Sequence, residues 1–178
     1  MNRFLILTCL AITLVGSVAL SGVVRAEDQA PMTEAHIARI RANCVDTKGS
    51  LQQLQATDAG LRVNRGQIYE SIATKLMAPL NSRLVLNRID SETFLNIADE
   101  YEQQLHTFRQ LYQQYDEAMS ATLRINCINQ PVAFYDSVAD TRAKRQQTHE
   151  ATVQLHKIIE KYGIEVDNFA RNFAADKS

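Results

Sequence analysis

Of the 178 residues, the first 26 read as a targeting segment, and the 152 that remain suffice for one domain with a single sizeable core, which excludes a large multidomain enzyme. The chain carries 19 Lys+Arg against 20 Asp+Glu; without Arg3 and Arg25 of the leader the balance is 17 to 20, mildly acidic, with nothing to advertise a polyanion partner. Beyond the leader only Gly49, Gly60, Gly66, Gly163, Pro31, Pro79 and Pro131 supply turn chemistry, too little for a β-rich fold, so the expected class is all-α.

Met1–Ala26 opens with Asn2 and Arg3, runs uncharged from Phe4 to Val24, and closes on Val24-Arg25-Ala26 before Glu27 and Asp28. A charged n-region, an apolar stretch and small residues at −3 and −1 make a secretory signal peptide. The apolar stretch, residues 4–24, is also long enough to span a bilayer as a helix, so cleavage after Ala26 competes with retention as an N-terminal membrane anchor. Both readings place residue 27 onward outside the cytoplasm. Cys9 lacks the small neighbour a lipidated cysteine wants, which argues against a lipoprotein.

After a linker at 27–32, Thr33 and Glu34 give a helix start. Ile37, Ile40, Cys44, Leu51, Leu54, Leu61, Ile68 and Ile72 then follow heptad spacing, with Thr47, Asp58 and Arg65 as polar members of the stripe, up to Pro79. Helix 1 is predicted over 33–78. Leu84, Val85, Leu86 and Ile89 in the connection form an apolar tip unless they fold onto the hairpin end. Asp90 caps helix 2, whose stripe is the most regular in the chain: Ala98, Tyr101, Leu105, Phe108, Tyr112, Tyr115, Met119 and Thr122, ending near Asn126–Asn129. Pro131 opens helix 3, which runs through Phe134, Val138, Thr141, Arg145, Thr148, Thr152, Leu155, Ile159 and Tyr162 to Gly163. Its weakly apolar middle implies a wet core or a partner helix. A short fourth helix follows to residue 173, and 174–178 fray. The architecture expected is an elongated antiparallel three-helix bundle, a coiled-coil-like hairpin plus a third helix.

Cys44 and Cys127 sit level in such a hairpin, because the point midway between them falls inside the Pro79–Asp90 connection located from proline and capping signals alone. In an exported chain this predicts a Cys44–Cys127 disulfide; the competing reading is a pair of buried free thiols. The same register, with helix 3 offset from helix 1 by about 87 residues, sets Arg145 beside Asp58 and suggests a buried ion pair joined by the Tyr112 hydroxyl, against the alternative that both groups snorkel to solvent.

Catalytic patterns are sparse. No Glu has a His three positions on, as a di-iron bundle site needs, and His149 and His156 are two turns apart, too far to share one metal. No nucleophile elbow, zinc-protease motif or phosphate loop occurs. The heptad-spaced aromatics of helix 2 read as core. The cluster Arg142, Lys144, Arg145 lacks interleaved aromatics in an acidic domain, which disfavours nucleic acid.

The stretch Asp58 to Glu70, continuing through Lys75 to Arg83, together with Pro131 to Asp136, resembles a family of uncharacterised exported helical proteins from reduced-genome bacteria. The resemblance implies a shared fold and export, and no activity. It draws attention to Arg62, Asn64, Arg65, Gln67, Tyr69 and Glu70, a dense polar segment in which Gly60 and Gly66 would let another backbone approach, read either as a packed polar layer or as a contact surface. The expectation is a non-enzymatic exported helical bundle, without cofactor or metal, serving as an interaction or structural module at the cell envelope. A protein partner is implied; nucleic acid is not, and a membrane enters only through residues 4–24 if the leader is retained. The alternative is a periplasmic holdase or carrier for apolar clients, and a metal-dependent enzyme stands third.

Overall fold

The computed structural model describes residues 32–175; the leader, Cys9, the 4–24 stretch, all but Met32 of the linker and the tail at 176–178 lie outside them. The chain divides into the units Met1–Pro31 and Met32–Ser178, of which the second is described here. Among the described residues every regular element is helical: α1 (Glu34–Ala42), α2 (Cys44–Ser71), a π-helical turn (Ile72–Met77), α3 (Ala78–Leu86), α4 (Glu92–Arg124) and α5 (Pro131–Ala175). None of these helices is long and apolar enough to cross a membrane.

Thr33 starts α1 by accepting the His36 amide at 3.3 Å, but the expected helix over 33–78 is modified twice. Asn43 interrupts it: its Nδ2 donates to the Arg39 carbonyl at 2.9 Å, a local bond that competes with the helix ladder. Pro79 does not end it. In the π turn just upstream the Ala78 amide bonds the Ala73 carbonyl five residues back, which widens the backbone where the proline ring would otherwise meet a carbonyl.

α3 closes in a Schellman motif. Arg88 adopts a left-handed φ of 57°, the Ile89 amide reaches the Leu84 carbonyl, and the Arg88 amide reaches that of Val85, both at 3.0 Å. The apolar tip therefore divides: Leu84 joins the core with Ile89 packed against it, while Val85 and Leu86 remain 52% and 81% exposed. Ser91, rather than Asp90, occupies the N-cap of α4, and the Asp90 carboxylate accepts the Glu92 amide at 3.2 Å.

The buried stripe of α4 runs from Phe94 and Ile97 through Tyr101, Leu105, Phe108, Tyr112, Tyr115 and Met119 to Thr122. Antiparallel to it, α5 sets Tyr162 against Phe94 near one end and Thr141 against Thr122 near the other. The expected break at Gly163 and separate C-terminal helix are replaced by one continuous helix to Ala175. Gly163 takes no positive φ, and Val166 and Phe169 beyond it pack on the core, offsetting the roughly 1 kcal/mol that a glycine costs inside a helix. The weakly apolar middle of α5 is satisfied by hydroxyls: Thr122 Oγ1 lies 2.6 Å from Ser137 Oγ and 2.8 Å from Thr141 Oγ1, and Thr152 donates to the Thr148 carbonyl.

α2 completes the helical bundle, antiparallel to α4 through Gln55–Ser120 and Tyr101–Tyr69 hydrogen bonds. Its expected stripe fails in the second half, where Leu61 and Ile68 are 47% and 56% exposed and Tyr69, Ala73 and Met77 are buried instead. The spacing from Asp58 to Tyr69 is eleven residues, three turns, which a seven-residue template does not follow.

Candidate functional site

Around Arg62 and Arg65 the face that α2 turns toward its neighbours is polar, and the surface between α2 and α5 opens there into a groove of 460 Å³. The floor is aromatic, formed by the buried Phe108, Tyr112 and Tyr115 of α4. Arg62 and Arg65 line it from α2, Arg142 and Arg145 from α5. Four guanidinium groups face one carboxylate, Asp58, in a chain that is acidic beyond its leader.

The structure brings Asp58 and Arg145 together. Arg145 Nε and Nη2 donate to the two carboxylate oxygens at 2.7 and 3.1 Å, and the Tyr115 hydroxyl donates at 2.8 Å. Tyr115 thus takes the part anticipated for Tyr112. The Asp58 side chain is 11% exposed and that of Arg145 50%, so a sheltered carboxylate meets a guanidinium half in solvent rather than a fully buried pair. Burial pushes the Asp58 carboxyl up, but hydrogen bonds from Arg145 and Tyr115 and the Arg145 charge outweigh it, and it ends below its usual value. Burial, then the bond to Asp58, raises the Tyr115 phenol.

The other arginines are differently engaged. Arg62 lies over the Tyr112 ring, 4.9 Å from its centroid, with no ion-pair or hydrogen-bond partner among the described residues. Arg142 has no ion-pair partner among them, and Lys144 pairs with Asp140. On the far side of α2 a second groove, of 700 Å³, is lined by Arg62, Gly66, Gln67 and Glu70 together with His106 and Arg109, and Glu70 pairs with Arg109.

The dense polar segment therefore forms a ridge between two grooves. Arg62, Asn64, Arg65, Gln67 and Glu70 are exposed; Asn64 lines neither groove, and Tyr69 is buried with its hydroxyl 3.0 Å from His156 Nε2. Apart from the adjoining residues and backbone of α2 itself, no described residue comes within 4 Å of where a Cβ would stand at Gly60 or Gly66. Sequence reasoning places Arg145 beside Asp58 and weighs Arg142 only within a basic cluster considered for nucleic acid; the spacing of three between the two arginines, with Gln146 and His149 on the same side, is the signal for a shared wall.

At the other end of α2, the Cys44 and Cys127 sulfurs are at disulfide-bonding distance, with Cα atoms 5.7 Å apart, beside the buried Phe134. His149 lines the groove and His156 is engaged by Tyr69; among the described residues no three His, Cys, Asp or Glu side chains are grouped to hold a metal ion. No protein family, curated protein or solved structure matches the chain.

Proposed function

We propose that this chain is a non-enzymatic, exported helical-bundle protein, an antiparallel three-helix bundle that serves as an interaction or structural module at the cell envelope. The observation that carries the reading is the exposed polar ridge Arg62–Glu70, flanked on both sides by open grooves and backed by a packed aromatic layer. Arginines beside aromatic rings on a rigid element are side chains that protein interfaces favour. Export is supported by the signal-peptide pattern of residues 1–26 and by the disulfide-distance pair Cys44 and Cys127, which suits an oxidising compartment. The resemblance of the Asp58–Glu70 and Pro131–Asp136 stretches to uncharacterised exported helical proteins points the same way.

Crosslinking in intact cells, followed by non-reducing purification and mass analysis, tests the reading. One recurrent partner at fixed stoichiometry supports it. A smear of unrelated exported proteins supports the second reading, a holdase or carrier of apolar clients. That reading draws on the exposed Val85 and Leu86 beside a 610 Å³ groove between α3 and α4, lined also by Met77 and Leu95. Failure to suppress aggregation of an unfolded client at near-equal molar ratio removes it.

A further inference from the structure

We propose that the arginine groove between α2 and α5 is the docking site for an acidic peptide segment of the protein partner, an inference that rests on the interaction-module reading. The first support is charge. Arg62, Arg65, Arg142 and Arg145 converge on a groove holding the single carboxylate Asp58, although the chain beyond its leader has more acidic than basic groups. Asp58 engages Arg145, which leaves three cationic groups around the groove with no carboxylate of this chain paired to them among the described residues. The second is geometry. The Arg62 guanidinium carbon lies over the Tyr112 ring, 4.9 Å from its centroid, a cation–π contact that restrains the side chain and reduces the entropy lost when a carboxylate binds its N–H fork.

The third support is size. The α2 wall from Asp58 to Arg65 and the α5 wall from Arg142 to Thr152 extend roughly 10–15 Å at 1.5 Å per residue, the reach of about three to five extended residues. A peptide laid along the groove meets arginines from both walls with successive acidic side chains and sets its apolar stems on the aromatic floor. A single small oxyanion would engage the arginines without using that floor.

The test uses the purified full chain and fluorescein-labelled hexaglutamate, read by anisotropy, with labelled hexalysine as control. The expected result is that hexaglutamate binds, hexalysine does not, and added NaCl weakens binding. R62E/R142E should weaken it about tenfold or more with unchanged helical circular dichroism, because both side chains are exposed. R62Q/R142Q, which introduces no repulsive charge, should weaken it less and serves if the first variant fails to fold. The proposal is overturned if hexaglutamate does not bind, if it binds R62Q/R142Q and R62E/R142E as well as the wild type, or if inorganic phosphate binds calorimetrically while hexaglutamate does not. Repeating the cell crosslinking with R62Q/R142Q separates the two readings. A recurrent partner retained by the variant overturns the groove and leaves the module standing, whereas no recurrent partner with the wild type overturns the module itself.

Discussion

Asp58 ties all three long helices at one level: it stands on α2, accepts from Tyr115 of α4 and is chelated by Arg145 of α5. Its carboxyl in the folded chain titrates below the usual value of 3.8, so the stabilisation it gives is present in full above that pH and is lost as pH falls through the folded value. D58N is expected to cost about 1–2 kcal/mol at neutral pH, since the amide loses the negative charge facing Arg145 and keeps one acceptor oxygen where the carboxylate offers two. Urea unfolding at stepped pH checks this: the gap between wild type and D58N should narrow as pH falls below about 3.8, and a gap constant with pH would show that Asp58 acts through shape alone. Gly163 is the opposite case, a residue whose side chain is missing where one would fit. Its backbone is not at positive φ and an added Cβ meets nothing within 4 Å, so G163A should stabilise the chain by about 0.5–1 kcal/mol, measured as a raised urea midpoint at unchanged m-value.

At the scale of elements, the turn between α3 and α4 places an arginine where helix C-termini favour glycine. Arg88 at φ 57° holds the Schellman bonds of Ile89 and Arg88 to Leu84 and Val85 against a left-handed penalty of roughly 1 kcal/mol for a residue with a Cβ. R88G is therefore expected to gain about 0.5–1 kcal/mol despite the greater freedom of glycine in the unfolded chain; loss of stability would mean that the Arg88 side chain matters more than its backbone. The long helices were legible because their apolar residues recur at heptad spacing, most clearly on α4, where all positions from Tyr101 to Thr122 on the expected stripe are buried. The π turn was not, because Pro79 carries the same local signal whether it stops a helix or follows a widened turn. Its trace lay in the spacing of Tyr69, Ala73 and Met77, four apart each time, which a heptad template assigns to the wrong face. Gly163 misled for a related reason: a glycine permits a helix end without requiring one.

Across the whole described chain the apolar core is unevenly distributed. The largest cluster gathers Tyr69, Met77, Leu84, Phe94, Tyr101, Leu155 and Tyr162, whereas the cluster at the cysteines contains only Cys44, Cys127 and Phe134 with partly buried neighbours. Between them lie a third cluster, Tyr112, Tyr115 and Met119, the threonine hydroxyls and the arginine groove. The level of the groove could be read from the sequence, because turns fix which residues of different helices lie level; its openness could not, because nothing in the spacing of Leu61 and Ile68 says that they face solvent. With so little apolar packing at the cysteine end, closure there rests on the Cys44–Cys127 pair, whose sulfurs are at disulfide-bonding distance, and the Arg41 bond to the Ile128 carbonyl at 3.1 Å. Joining residues 83 apart restricts the unfolded chain strongly, and C44S/C127S is expected to lose roughly 2–4 kcal/mol. The corresponding fall in Tm is about 5–15 °C for a domain of this size, and reductant should reproduce it in the wild type while leaving the variant unchanged. Hydrogen exchange gives the finer reading: protection should fall first in α1 and the first turns of α2, while amides around Tyr101 and Leu155, inside the large cluster, should keep theirs. Uniform loss along α4 and α5 would mean instead that the small cluster and the large one unfold as a single unit, with the cysteines holding both.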